Sequence, residues 1–283
     1  MAIMQPSLEV NSASQQEILT ANKLHHANEA EVYDIHHGEI FNNYAQLNLR
    51  RVLKFCVRTL FDLLGNRELR VLDCACGTGN LSEKLLQYNV EVDALDISPE
   101  MLTVLRKKLN GLAKNRYRTI VDDIDTFVQT TPTNSYDFIT FSAALHHLPS
   151  YEETFKECIR ILRRPGMILV YHEPLATERI YVSSASIALR SIDRFVWKYW
   201  GKLTRRKSIS QVATNKIDIA LVDYHVHRGG VNPDTLQNLI EINHGEVLDY
   251  AAKSENMRHC WSAWIDNFFD LRRDNFHLVA LFK

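Results

Sequence analysis

The run Val71-Leu72-Asp73-Cys74-Ala75-Cys76-Gly77-Thr78-Gly79-Asn80 leads an apolar segment into a Gly-x-Gly turn and then into a helix-like segment. Glycines there let the backbone approach a ligand, and a helix start offers unpaired N–H groups. Alone, such a turn is equally a tight strand-to-helix connection that binds nothing. Three later positions give it chemical content. Asp96 ends the next apolar run, 23 residues after Asp73, and a carboxylate at about that distance can accept both ribose hydroxyls of a nucleoside. Asp122-Asp123-Ile124 follows a third run, where an acid can take the exocyclic amine of an adenine. Ser142 to His147 follows a fourth.

Twelve histidines supply candidate proton acceptors. His146 and His147 follow the fourth run, at the edge of the expected pocket, and are the first candidates for a general base. A purely structural role for the pair stays open. His172 and Glu173 end a fifth run, where the carboxylate could orient a substrate or tune His172, or simply close a strand. His36 and His37 lie in NEAEVYDIHHGEIF, where a solvated helix face is the competing reading. His225 and His227 are weaker candidates, and His25 and His26 receive no role.

These residues need elements to position them. Leu69 to Ala75, Val90 to Ile97, Tyr117 to Val121, Tyr136 to Ser142 and Met167 to His172 read as strands. Between them Asn80 to Tyr88, a segment opened by Ser98-Pro99-Glu100, and Tyr151 to Leu162 read as helices. Tyr44 to Leu64 reads as an amphipathic helix closed by Gly65. This alternation argues for an α/β fold: a Rossmann-like, mostly parallel sheet with helices on both faces. The rhythm breaks after Pro174 and returns with a helix from Asn232-Pro233-Asp234 to Asn243, then strands at Glu246 to Ala252 and Phe276 to Phe282. Residues 175–230 therefore read as a helical insertion after strand five. Residues 1–28 read as a mobile lead or frayed helix, and 29–283 as one domain.

Composition narrows the function classes. The 283 residues carry 33 Lys and Arg against 34 Asp and Glu, which disfavours a nucleic-acid binder. Five cysteines show no zinc-ligand spacing, and no signal segment or membrane span is legible. A cytoplasmic protein is the expectation. Phe195-Val196-Trp197-Lys198-Tyr199-Trp200 runs into Lys202, Arg205, Arg206 and Lys207. That composition over 195–207 suits weak peripheral membrane contact, and equally a helix with core aromatics and a solvated basic end.

Taken together, VLDCACGTGN, VDALDISPEML, VDD, YDFITFSAALHHL and ILRRPGMILVYHEP resemble the class I S-adenosylmethionine-dependent methyltransferases. The similar branch is that of the small-molecule enzymes related to ubiquinone/menaquinone methyltransferases. The resemblance covers about residues 29–283. It implies a seven-stranded sheet whose last strand is antiparallel and S-adenosylmethionine as cofactor. Asp73, Cys74, Ala75, Cys76, Gly77 and Gly79 would hold its methionine part. Asp96 would bind the ribose, with Ile97 and Met101 beside the adenine, Asp123 on its amine and the Ile124 backbone on its ring. Ser142 would lie under the sulfonium, and Tyr33 would be a lid contact. The family usually has Gly where this chain has Ala75. The implied reaction moves a methyl group to O, N or C of a small, apolar or aromatic acceptor. His147, His146 and then His172 are the candidate bases, no metal is expected, and 175–230 would cap the acceptor. Two alternatives remain: a cofactor-binding subunit without catalysis, and a nicotinamide dehydrogenase. The dehydrogenase fingerprint wants a third glycine where Ser82 stands.

Overall fold

Each apolar run becomes a strand, because a segment buried on both faces of a parallel sheet is apolar throughout rather than alternating. A computed structural model describes residues 14–111, 115–203, 218–226, 228–254 and 260–283. In chain order its strands are β1 (Leu69–Cys74), β2 (Val90–Asp96), β3 (Tyr117–Val121), β4 (Tyr136–Ser142), β5 (Leu162–Pro174), β6 (Tyr181–Val182), β7 (Gly245–Lys253), β8 (Arg272–Arg273) and β9 (Asn275–Phe282). Seven form one sheet in the order β3-β2-β1-β4-β5-β9-β7, while β6 and β8 pair apart from it. Strands β1 to β5 run parallel, and β9 is antiparallel to both its neighbours. This is the expected seven-stranded α/β sheet. The separate β6–β8 pair was not expected.

Helices cover both faces. On one lie α4 (Asn43–Leu64), α5 (Asn80–Leu85) and α6 (Pro99–Leu109), with Leu53, Leu60, Leu85 and Leu105 in a shared core. On the other lie α7 (Ile124–Thr130), α8 (Tyr151–Ile161) and α11 (Pro233–Ile242), around Val128, Phe155 and Ile240. Local signals set their ends. The Asn42 side chain accepts from Ala45 N to start α4, and Gly65, at φ 73°, ends it. Ser98 caps α6 with Pro99 behind it.

Of the two readings of 1–28, mobile lead or frayed helix, the helical one describes it from Ser14 onward, residues 1–13 lying outside the described ones. Gln15–Glu29 forms helix α1, opened by a reciprocal Ser14–Glu17 capping box, with Ile18 and Ala21 buried. Short helices α2 (Tyr33–His36) and α3 (Gly38–Phe41) connect it to α4. The insertion holds α9 (Ser184–Leu203) and α10 (Ile219–Val222), and α12 (Cys260–Phe268) precedes β8. Strand β5 is longer than expected and reaches Pro174, with a register break against β9 between Val170 and Glu173. His172 sits in that break at φ 58°.

Candidate functional site

A cleft opens at the C-terminal ends of β1, β2 and β4. The place is where open α/β sheets bind ligands. Its floor begins with the turn after β1. Ala75, Gly77 and Gly79 all take left-handed backbone, at φ 50°, 54° and 87°. Only glycine adopts this without steric cost, so Ala75 carries a small strain that the usual glycine would not. At Gly79 a Cβ would also lie 2.8 Å from Leu105 Cγ. Gly79 therefore serves close packing of the turn on α6 and does not itself line the cleft.

Asp96 organises this floor. Its Oδ2 accepts from Gly77 N at 2.8 Å and its Oδ1 from Ser98 N at 2.8 Å. The carboxylate thus fixes the turn and the start of α6 together. Each oxygen has accepted one bond and keeps a further lone pair, so two acceptor sites remain for a ligand. Burial pushes the Asp96 carboxyl up to about 6.

Asp73 has a different role. Its oxygens accept from Ser82 Oγ at 2.6 Å and Thr140 Oγ1 at 3.1 Å, which ties β1 to α5 and β4. It too is raised to about 6, by burial. Ala75, Cys76, Ile97, Met101, Ile124 and Ser142 line the cleft with it. Asp123 also lines it, but one oxygen caps α7 by accepting from Thr126 N and Oγ1. Cys74 lies outside the lining, buried in β1.

The roof comes from α1 to α3. Leu19, Asn22, His26, Tyr33, Ile40 and Phe41 face the cleft. The Tyr33 ring lies 4.2 Å from His37 and edge-on to Phe41. Side chains latch the roof to the floor. Asp34 accepts from Thr78 Oγ1 at 2.6 Å and pairs with Lys108 of α6. His37 bridges Glu29 and Glu39 at 3.4 and 3.0 Å. Burial alone would lower the His37 imidazole, yet its two carboxylate bonds raise it to about 9. Of these roof residues only Tyr33 was expected from sequence. His26 had been given no role, although it lines the cleft and packs edge-on against His147 at 5.1 Å.

The structure separates the two histidines after β4. His147 lines the cleft, and its Nδ1–H donates to Val222 O of α10 at 2.7 Å. A carbonyl can only accept, so Nε2 on the opposite edge of the ring keeps its lone pair. Burial, then the neighbouring His146 and His26, hold this imidazole well below its ordinary range, hence neutral. His146 stands behind it, rings 4.0 Å apart, with Nδ1 2.9 Å from Glu173 Oε2. Glu173 also accepts from the backbone N–H of Ala144, Leu145 and His146. Glu173 is therefore bound to His146 and its loop, where the sequence had left it orienting a substrate, tuning His172 or closing a strand. The register break in β5 lies just before it. His172 is buried outside the cleft lining.

Two further expectations meet the structure here. His146, His147 and Asp223 bring ligand atoms within 4.8 Å of one another, a grouping invisible in sequence because Asp223 is so distant along the chain. No described residue of 175–230 lines the cleft. The insertion reaches it through α10, behind His147, and through Leu221 O, which accepts from Asn22 Nδ2 at 3.5 Å. The Trp197 and Trp200 side chains and His227 lie outside the described residues.

A family model described as a methyltransferase domain matches residues 71–166. The chain is 29% identical over 139 residues to a ubiquinone/menaquinone biosynthesis C-methyltransferase of Rhizobium meliloti, covering 47% of this chain and 52% of that one. It is 31% identical over 119 residues to a ubiquinone biosynthesis O-methyltransferase of Xanthomonas oryzae pv. oryzae, covering 40% and 46%. The chain thus spans about half the length of the curated relatives it matches. Among solved structures, magnesium protoporphyrin IX methyltransferase from Synechocystis PCC 6803 with bound S-adenosylmethionine has the same fold. Its TM-score is 0.55 at 15% identity, covering 96% of this chain and 100% of that one.

Proposed function

We propose that this chain, which carries a class I methyltransferase domain, uses S-adenosylmethionine to methylate a small apolar or aromatic molecule. The observation that carries the reading is Asp96: a buried carboxylate beside a left-handed Gly-rich turn, with one lone pair per oxygen left for two hydroxyls. The relatives named above act through methyl transfer, and the solved structure of the same fold holds this donor. The donor supplies a methyl group on an electrophilic sulfonium.

The chain's own contribution is positioning and proton removal. Ala75 to Gly77 present backbone to the donor's amino-acid part. Ile97, Met101 and Ile124 offer an apolar slot for a flat base, and Asp123 keeps one carboxylate oxygen for an amine. Leu19, Ile40 and Phe41 close the roof side with apolar surface, which favours an apolar acceptor over a highly charged one. If the attacking atom carries a proton, His147 Nε2 receives it. Glu173 and Val222 fix the two rings so that this lone pair is held in place. The four described cysteines are free thiols, which fits a cytoplasmic setting.

A nicotinamide dehydrogenase is disfavoured by Ser82, which is fully buried and bonded to Asp73 where a third glycine would stand, and by the antiparallel β9. The test is transfer of an isotopically labelled methyl group from S-adenosylmethionine to a small molecule in an extract of the source cells, read by mass spectrometry. A labelled product with equal formation of demethylated donor supports the enzyme. Tight donor binding with every label retained on the donor would instead make the chain a binding subunit.

A further inference from the structure

Several exposed aromatic side chains lie outside the cleft lining, on α9 and α12. There α9 packs on α12 and β6 pairs with β8, so the stretch before α9 and the stretch after α12 form one unit. The inward faces of the two helices are joined by Ser262, which donates to Asp193, both buried. The outward faces carry Phe195, Trp264 and Phe268, between 52% and 66% exposed, and Phe269, just after α12, is 62% exposed. The Tyr199 ring lies tilted at 4.3 Å from Phe195, and Trp264 stacks at 5.0 Å on Phe268. Four residues apart on α9, and four apart on α12, these rings form two ladders.

The charges on these helices point to the occupant. Arg194 and Lys198 are exposed on the same side of α9 as Phe195 and Tyr199. The only acids in the two helices, Asp193 and Asp266, are buried at 2% and 0%. Asp270, which follows α12, is paired with Arg273. Among the described residues of the two helices the outward surface is therefore aromatic and cationic, and the acid that follows α12, Asp270, is offset by Arg273. A second copy meeting it by two-fold symmetry would bring cation to cation without a counter-charge. An anionic lipid surface supplies that counter-charge, and aromatic rings prefer the headgroup boundary. No described helix is long and apolar enough to cross a membrane, so contact lies along the surface.

We infer that the outward faces of α9 and α12 dock the protein onto an anionic bilayer, with the aromatic ladders inserted at the headgroup level and Arg194 and Lys198 against lipid charge. The inference is independent of the methyl-transfer proposal, since its readout is partitioning rather than activity.

The experiment is flotation of the full chain with vesicles of equimolar phosphatidylglycerol and phosphatidylcholine, and with phosphatidylcholine alone. Binding is expected to the anionic vesicles at low salt and to fall as salt rises. At about fivefold per basic residue near such a surface, Arg194→Gln with Lys198→Gln should weaken partitioning roughly 20-fold. Phe195→Ser with Phe268→Ser should weaken it to both vesicle types, while thermal melting and donor binding stay as in the parent. No flotation at low salt, or flotation unchanged in both variants, overturns the inference. So does a parent dimer that the aromatic variant converts to monomer in sedimentation equilibrium, because the face would then belong to a second copy.

Discussion

The floor and the roof of the cleft are built by different physics. The floor is backbone-determined: strand ends, a left-handed turn, and Asp96 bonded to two main-chain N–H groups. The roof is held by side chains: the Asp34 latch, the His37 bridge and ring contacts around Tyr33. Half-exposed ion pairs contribute only about 0–1 kcal/mol each, so a roof held by them can open for exchange and close again. On the proposed reading, one half of the site would specify the donor and the other would control its access.

The largest expected effect tests whether chemistry sits at the junction of the two. His147→Ala should lower turnover roughly 10²- to 10⁴-fold if the acceptor must lose a proton, with donor affinity unchanged. Turnover within tenfold of the parent would make the ring a wedge between roof and α10.

The pH dependence of donor affinity should show both halves at once. With Asp96 raised to about 6 by burial, its ionised form is disfavoured by folding. Its contribution to the stability of the ligand-free protein is full below the unfolded value and is lost as pH rises through 6. A donor whose hydroxyls bond the ionised carboxylate recovers part of that loss, so affinity should rise with pH through 6, by up to about tenfold per unit. His37 has the same stability sign but acts on donor affinity in the opposite direction. Raised to about 9, it contributes fully below its unfolded value, and its contribution is lost as pH rises through 9. Calorimetric affinity should therefore peak between these limits. Asn at position 96 should remove the acid limb alone, and Gln at position 37 the alkaline limb alone.

Asp34→Ala should act on the roof only. Loss of the Thr78 and Lys108 contacts, about 1 kcal/mol for such partly exposed groups, should speed donor release about fivefold in stopped-flow measurements and leave association nearly unchanged. The smallest effect belongs to the floor. Ala75→Gly relieves the left-handed strain but loosens the unfolded chain by about 0.4–1 kcal/mol. The two offset, and the melting temperature should move by no more than about 3 °C, with donor affinity unchanged. A large loss of affinity would mean that the Ala75 methyl touches the ligand.

The same division decided what could be read from sequence. The floor is encoded in contiguous runs with fixed spacing, so β1 to β4 were legible to within a residue or two, and Asp73, Asp96 and Asp123 line the cleft at their ends. The roof depends on contacts between residues far apart in the chain. His26 meets His147, and Asp34 meets Thr78, with no local pattern to announce either. One readable signal was present: Ser14-Gln15-Gln16-Glu17 is a capping box, and the structure forms it at the start of α1. Glu173 was read as a carboxylate that could orient a substrate, tune His172 or close a strand; its contact with His146 was not legible, because no local pattern announces it. The aromatic stretch of α9 was expected to cover an acceptor, yet its described aromatic side chains are exposed on a face that borders α12.

The central claim is that the floor is a donor site read out by Asp96. Calorimetric titration of S-adenosylmethionine and its demethylated product into the parent and Asp96→Ala tests it most directly. The account predicts one shared site in the parent and a loss of about 10- to 100-fold for both ligands in the variant, the scale for hydrogen bonds to a charged group, about 1.5–3 kcal/mol. Binding of a nicotinamide dinucleotide with none for these ligands, or equal affinity in parent and variant, would contradict it.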